Sequence, residues 1–405
     1  MMDIKTYNVI AKEGLAEFPT DLYTVNQSQK PQALLIRSQD MHKTPFGTNV
    51  LAIARAGAGV NNIPLVQATS AGTVVFNTPG SNANAVKELV LTMLLLASRP
   101  VLDAIPWAHK LGGADVSLQT EAGKNHFAGS ELLGKSIGVI GLGAVGSRVA
   151  KAASDLGMKV IGYDPYISVE HAWQLSNDIP RAESLEDLLA ASDFVTVHVP
   201  YTEKNRHLLG KEQVEAMKQD AVLLNYSRSG IVDDAAVLAA LDAGKLRLFI
   251  SDFGTPALAS HKKVIVTPHL GGTTAEAEVN GAKMAARTLR KYLETGNIVN
   301  SVNFPTVEMA FEAPLRLTLI HQNVPNMVGR ITTILANYNL NIDNMINRSR
   351  EKIAYTVIDM ATVSAEQQAE LTKELLHIPE VIRVRFLKNR FFVKKDWCQN
   401  FNYYF

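Results

Sequence analysis

Residues 136–146 read Ser136-Ile137-Gly138-Val139-Ile140-Gly141-Leu142-Gly143-Ala144-Val145-Gly146. The first five form a short apolar run, the pattern of a strand covered on both faces. Glycines follow at once. Beyond them Val145, Val149, Ala152 and Leu156 fall on one helical face, until Gly157 stops the helix where a left-handed residue is wanted. Strand, glycine turn and helix in this order predict a dinucleotide-binding unit. Gly141 makes the tight turn and Gly143 lets a pyrophosphate approach the backbone. Gly146 lets helix and strand pack closely, and Val145 stands at the helix N-terminus that faces the anion. Asp164 ends the next predicted strand, 18 residues beyond Gly146. A carboxylate there binds both ribose hydroxyls of NAD and repels the 2′-phosphate of NADP, so NAD is the expected cofactor.

Working outward, further apolar runs at 159–163, 194–199, 221–225, 248–251 and 264–266 are separated mostly by helical segments. Towards the N-terminus, strands are expected at 34–38, 50–54 and 73–76, each followed by small or turn residues, and a long helix at 85–98. Strands alternating with helix-length segments predict parallel α/β structure. A helix over 274–294 carries the chain out, and 296–305 reads as a connector. The texture then changes. Residues 315–319 alternate with period two, and Met327, Val328, Ile331, Ile334, Leu335 and Tyr338 mark one helical face. Strands at 354–360 and 381–386 bracket a helix at 365–376, and a further strand at 345–350 completes a β-α-β-β-α-β, ferredoxin-like unit.

The whole chain, 405 residues, predicts two to four domains at roughly 100–200 residues each. Apolar residues make up 47% and charged residues 20%, and 40 basic against 39 acidic side chains leave a formal charge of +1. That balance lends no electrostatic support to a nucleic-acid binder or a polybasic membrane anchor. The single cysteine, Cys398, excludes an intrachain disulfide and any zinc site built on several thiolates, and no metal is expected. The longest strongly apolar run, 89–97, is about half of what a bilayer-spanning helix needs. A cytoplasmic multidomain protein is expected.

Two further segments carry chemistry. In Asn225-Tyr226-Ser227-Arg228-Ser229-Gly230 an arginine stands just past a buried strand, at the carboxyl edge where open α/β sheets bind ligands. Its planar fork suits a carboxylate and polarises an adjacent keto oxygen. In Thr267-Pro268-His269-Leu270-Gly271-Gly272 a histidine ends a later strand between proline and glycine, placed to give and take a proton near neutral pH.

These motifs, in this order, resemble the D-isomer-specific 2-hydroxyacid dehydrogenases, and the C-terminal unit resembles an ACT domain, a small amino-acid-sensing module. Arg37-Ser38, Ala56-Gly57-Ala58-Gly59-Val60-Asn61-Asn62, Asn82-Ala83-Asn84-Ala85-Val86 and Val302-Asn303-Phe304-Pro305 match the same pattern. The resemblance implies a Rossmann-type dinucleotide domain (99–286) inserted in a flavodoxin-like substrate domain (1–98 and 287–305). A regulatory module (314–388) and an aromatic tail (389–405) follow. It implies that Arg228 binds the substrate and His269 moves the proton. Asp252 contacts the nicotinamide carboxamide, while Ser227 and His198-Val199-Pro200 lie along the cofactor. The turn at Ala58 and Gly59 offers backbone N–H groups to the substrate carboxylate. Arg37 and Ser38 lie near a substrate phosphate, and Asn82 belongs to the substrate site. His321, Asn323 and Asn341 match effector positions for L-serine. The implied reaction is NAD-dependent oxidation of D-3-phosphoglycerate, feeding serine synthesis, in a homodimer or higher homo-oligomer. The alternatives are another 2-hydroxy acid, such as glycerate or lactate, or an NAD-binding regulatory protein with degraded catalysis.

The chain departs from the pattern where the family places a glutamate against the catalytic histidine. Pro256 and Ala257 stand there, and no acid follows until Glu276. Ser229 replaces the usual glycine. The tail carries Phe391, Phe392, Trp397, Phe401, Tyr403, Tyr404 and Phe405, an enrichment expected to pack on another surface.

Overall fold

The computed structural model describes residues 1–167, 179–390 and 392. Most of the expected aromatic tail lies outside them. The chain divides into two compact units, Met1–Ser81 with Glu278–Phe405, and Asn82–Ala277.

In the first unit, β1 (Met2–Thr6), β2 (Tyr23–Val25), β3 (Ala33–Ile36), β4 (Ala52–Arg55) and β5 (Val74–Phe76) form a parallel sheet in the order β2-β1-β3-β4-β5. This is the flavodoxin-like order, whose switch point lies between β1 and β3. The strands β1 and β2 have no apolar run long enough to mark them. Ile4 and Tyr23 anchor them in the core that also takes Phe76, Leu289, Tyr292 and Phe304, with Met2 packed against it. The connector at 296–305 closes the far edge. The Val302 N–H donates to the Val75 carbonyl, and the Asn303 side chain accepts from the Val75 N–H and donates to the Thr73 carbonyl.

The same unit holds β12 (Leu315–Gln322), β13 (Ile342–Arg350), β14 (Ile353–Met360) and β15 (Val381–Lys388), antiparallel in the order β13-β14-β12-β15. That is the ferredoxin-like arrangement. Leu315, Leu317 and Leu319 face the helices Met327–Asn337 and Ala365–Leu376. Ile320, Tyr355 and Val357 point the other way and join the core of the N-terminal sheet. Arg316, fully buried, ties this sheet to the connector. It forms a two-pronged ion pair with Asp359 and donates to the carbonyls of Thr295, Met309 and Ala310.

In the second unit, β6 (Ser136–Ile140), β7 (Lys159–Tyr163), β8 (Phe194–Val197), β9 (Ala221–Asn225), β10 (Leu246–Ser251) and β11 (Val264–Val266) are parallel in the order β11-β10-β9-β8-β6-β7. Outside β7 a single bridge pairs Gly162 with Arg181. Among the described residues this one pair stands in the place of the third strand of a doubly wound dinucleotide fold. Helix Ala83–Ser98 belongs to this unit rather than to the N-terminal sheet. Its Val86, Val90, Met93, Leu94 and Ala97 share a core with Val139, Val149 and Leu224. The contact boundaries therefore fall at 81/82 and 277/278, where the sequence pattern places them at 98/99 and 286/287.

Candidate active site

The ends of β6 and β8 meet at the switch point of the second sheet, where crossovers leave in opposite directions and open a crevice. Gly141 has φ +87°, and a Cβ there would lie 2.7 Å from the His198 carbonyl oxygen and 2.8 Å from Val199 Cγ1. Only glycine fits. A Cβ on Gly146 would sit 1.8 Å from the Gly141 oxygen, so helix Gly146–Asp155 starts hard against the turn. Gly143 differs, because a Cβ there would meet nothing within 4 Å. The turn thus presents an open backbone surface at a helix N-terminus capped by Val145, as an anionic ligand requires.

Asp164 follows β7. Its carboxylate accepts the N–H groups of Leu142 (2.9 Å) and Tyr166 (2.9 Å), which fixes it beside the glycine turn. His198 follows β8, and its N–H extends the pairing to the Ile140 carbonyl at 2.7 Å. Its Nε2 shares a hydrogen bond with the Thr196 hydroxyl (2.9 Å), and burial pushes the imidazole down to about 3, so it is neutral. His198 Nδ1 is buried and has no hydrogen-bond partner among the described residues. A buried orphan of this kind calls for a partner. With the open Gly143 backbone it makes the site fit a dinucleotide. Pro200, next along, accepts from Asn205.

Across the sheet, Asp252 ends β10 nearly fully buried. Its carboxylate accepts the Thr267 hydroxyl (2.6 Å) and the N–H groups of Leu270 and Gly271 (2.7 Å each). Its carbonyl accepts the His269 N–H at 3.1 Å. Asp252 therefore grips the backbone on both sides of His269, which takes φ +56°. The His269 ring is exposed and meets Phe253 edge-on, with centroids 5.1 Å apart. The Ser251 hydroxyl clamps Phe253, accepting its N–H and donating to its carbonyl. No carboxylate is paired with the His269 ring among the described residues. Where a glutamate would stand, helix Pro256–Ser260 begins, capped by Thr255, whose hydroxyl donates to Asp234.

Asn82 caps helix Ala83–Ser98, and its amide nitrogen lies 2.4 Å from where a Gly272 Cβ would be, against the His269 loop. Arg228 follows β9, exposed, with Nη1 donating to the Ser227 carbonyl and no carboxylate paired with it among the described residues. Ser227 is held in turn by Asn225. The second unit thus gathers a glycine turn at a helix N-terminus, a histidine on a gripped loop, and an exposed guanidinium with no carboxylate paired to it among the described residues.

The first unit holds the remaining residues. Arg37 and Ser38 follow β3 at that sheet's switch point. The Ser38 N–H donates to Asn8 (3.0 Å), and Arg37 forms a close ion pair with Glu278. Ala58 and Gly59 lie on the turn after β4, where the Ala58 carbonyl accepts from Asn77. Arg55, which the sequence reading passed over, lies under this turn. Its Nη1 is 2.6 Å from where a Gly59 Cβ would be, and its Nε donates to the Arg37 carbonyl at 2.9 Å. An arginine at the carboxyl end of a parallel strand was the available signal, the same one that marked Arg228. In the ferredoxin-like unit, His321 is only 1% exposed. Its ring nitrogens are spent on the Gln322 carbonyl and the Thr356 hydroxyl, at 2.8 Å each. Asn323 donates to the Glu351 carbonyl, and Asn341 is exposed. The three expected effector residues are thus differently disposed: one is turned inward and two are outward.

The family described as D-isomer specific 2-hydroxyacid dehydrogenase, NAD binding domain, matches residues 101–271, and an ACT domain matches 309–385. A D-3-phosphoglycerate dehydrogenase of Haemophilus influenzae is 34% identical over 350 residues, 84% of this chain and 81% of that protein. D-3-phosphoglycerate dehydrogenase 1 of Saccharomyces cerevisiae is 32% identical over 402 residues, 89% of this chain and 82% of that one. The match to the Methanocaldococcus jannaschii enzyme of that name, 35% identical, covers 70% of this chain but only 55% of the longer relative. Among solved structures, the NAD+-bound 3-phosphoglycerate dehydrogenase of Entamoeba histolytica is 23% identical. It aligns with a TM-score of 0.57 over 75% of this chain and 98% of that one.

Proposed function

Because this chain belongs to the D-isomer-specific 2-hydroxyacid dehydrogenase family, we propose that it oxidises D-3-phosphoglycerate to 3-phosphohydroxypyruvate with NAD, the entry step of serine synthesis. The observation that carries the reading is the His269 loop, gripped by Asp252 in the same unit as a glycine turn with an acid beside it. Bound NAD+ supplies the acceptor for the hydride from C2 of the substrate. Gly141, Gly143, Val145 and Gly146 would hold its pyrophosphate and Asp164 its adenine ribose, with His198, Val199, Pro200, Ser227 and Asp252 alongside. Neutral His269 takes the proton of the C2 hydroxyl as the C2–O bond becomes a carbonyl, and returns it in the reverse direction. Arg228 pairs with the substrate carboxylate and orients C2. Asn82 steadies the acid, the Ala58–Gly59 turn offers N–H groups, and Arg37 with Ser38 faces the phosphate.

Two finer features belong to the same reading. The first is a homodimer in the cytoplasm. It is supported by helix Val101–Ala108, which buries no residue and leaves Val101, Leu102 and Ile105 more than 40% exposed. No single helix among the described residues is long and apolar enough to cross a membrane. The second is L-serine as effector of the ACT domain through Asn323 and Asn341. His321 would act from behind, since its nitrogens are already bonded.

NAD reduction by purified protein with D-3-phosphoglycerate, against glycerate and lactate, tests the assignment. Turnover should be highest with the phosphorylated acid. His269→Ala should lower kcat about 10²–10⁴-fold, the usual contribution of a positioned acid–base group. Wild-type turnover in that variant would overturn the mechanism. Sedimentation of wild type against Ile105→Asp tests the dimer, and calorimetry with L-serine tests the effector.

A further inference from the structure

We propose that Glu278 is a specificity-determining residue: it occupies Arg37 in an ion pair that the substrate phosphate must displace, and so sets how strongly the phosphorylated acid is preferred. The inference rests on the reading above, in which Arg37 faces that phosphate. Arg37 and Glu278 are joined in a close ion pair, with side chains 41% and 42% exposed. The pair forms because of where helix Ala275–Thr295 sits. A Cβ on Gly14 would lie 2.5 Å from the Ala282 Cβ and one on Gly281 3.7 Å from Ala56, so the helix packs tightly on the short helix Lys12–Leu15 and touches the turn after β4. The helix backbone has no room to move inward, and Glu278 releases Arg37 by turning its own side chain.

The Arg55 guanidinium lies against the backbone here, its Nε donating to the Arg37 carbonyl at 2.9 Å. Glu278 is the carboxylate paired with Arg37. An exposed ion pair is weak, so an anion exchanges for it readily. A phosphate dianion left beside a carboxylate is repelled, and the repulsion persists unless Glu278 turns away. A 2-hydroxy acid without a phosphate has no use for Arg37 and is indifferent to the exchange. Glu278 therefore weakens binding of the phosphorylated acid selectively, and a neutral amide of the same shape relieves that effect.

The test is steady-state NAD reduction by the full-length enzyme with D-3-phosphoglycerate and with D-glycerate, in wild type, Glu278→Gln, Glu278→Ala, Arg37→Gln and the Arg37→Gln/Glu278→Gln double variant. Glu278→Gln should lower KM for 3-phosphoglycerate about 3- to 10-fold at constant kcat, a change in ground-state binding, and leave KM for glycerate where it was. In the Arg37→Gln background, where no ion pair is left to displace, the same substitution should give a distinctly smaller gain. Glu278→Ala repeats the measurement should the amide variant fold poorly. An unchanged KM for 3-phosphoglycerate, an equal change for both acids, or the same gain without Arg37 overturns the inference while the functional reading stands. A wild-type enzyme that does not turn over 3-phosphoglycerate overturns both.

Discussion

Asp164 spends its two carboxylate oxygens on the Leu142 and Tyr166 N–H groups, so it is held in place before any ribose arrives. Preorganisation of this kind makes the discrimination between NAD and NADP a matter of charge rather than of side-chain ordering. Asp164→Ala should narrow the preference for NAD by about 1–3 kcal/mol, the scale of a hydrogen bond to a charged group. The ratio of kcat/KM for the two cofactors measures it, and equal efficiency in the wild type would remove Asp164 from the role. In the proposed mechanism His269 has no carboxylate paired with its ring among the described residues, and two neighbours position it. Asp252 holds the loop backbone by charge-assisted hydrogen bonds, and Phe253 holds the ring. Asp252→Ala should therefore lower kcat by about 10²-fold through misplacement of the proton-transfer group, with the fold retained. Steady-state kinetics beside a melting curve separates that result from simple destabilisation.

At the scale of one element, the strand–turn–helix at 136–155 contains two glycines with opposite needs. Gly146 has the Gly141 oxygen 1.8 Å from any Cβ, whereas Gly143 has open space. Gly146→Ala should disrupt the turn and lower the melting temperature, because the clash is with backbone that has nowhere to go. Gly143→Ala should leave the melting temperature near wild type and weaken NAD binding, since the methyl group occupies space the pyrophosphate approaches. Melting curves and NAD titrations of the two variants should separate cleanly, and loss of folding in Gly143→Ala would show that the open backbone is structural. The connector beneath β12 offers a second case. Arg316 and Asp359 are both fully buried, and the Arg316 guanidinium also serves three carbonyls. Asp359→Ala leaves that cation without its counter-charge and should destabilise the first unit by about 3–5 kcal/mol, read from denaturant unfolding.

For the whole molecule, pH enters through two histidines, the half-buried His198 and the buried His321. Burial pushes His198 down to about 3 and also lowers His321, whereas in the unfolded chain each takes a proton near the ordinary value of about 6.5. Below that value the unfolded state binds more protons than the folded one, so stability is fully present above about pH 6.5 and is lost as pH falls. The slope is at most about 1.4 kcal/mol per pH unit for each histidine. Urea midpoints should therefore drop between pH 7.5 and 5.5, and His198→Asn should flatten part of that dependence. A midpoint independent of pH over this range would mean that both rings take up protons alike in the folded and unfolded states, contrary to the effect of burial. The ferredoxin-like module is drawn into the same unit as the N-terminal sheet. Arg383 donates to the carbonyls of Thr48, Val50 and Ala71, and the Tyr355 hydroxyl donates to Gly296. The module and the N-terminal sheet thus share one compact unit.

The sequence by itself determined the dinucleotide turn with its acid, the arginine and histidine at strand ends, and the β-α-β-β-α-β order of the last module. Those features are written in windows of a few residues: apolar runs of strand length, 3.6-residue periodicity, and glycines where the backbone must turn or be approached. It missed β1 and β2, whose burial comes from neighbours far along the chain rather than from their own composition. It could not place partners either. Only the tertiary structure paired Arg37 with Glu278, 241 residues away, and set Arg55 under the Gly57–Gly59 turn. The same packing turned His321 inward onto Thr356, although the family resemblance matches it to an effector position. It also moved helix Ala83–Ser98 into the dinucleotide unit, because the apolar face of a helix names no partner until a core is there to receive it. Local pattern specifies what an element is. Which charged or apolar face it meets is a long-range matter, decided when distant segments pack and each buried polar group must find its counterpart.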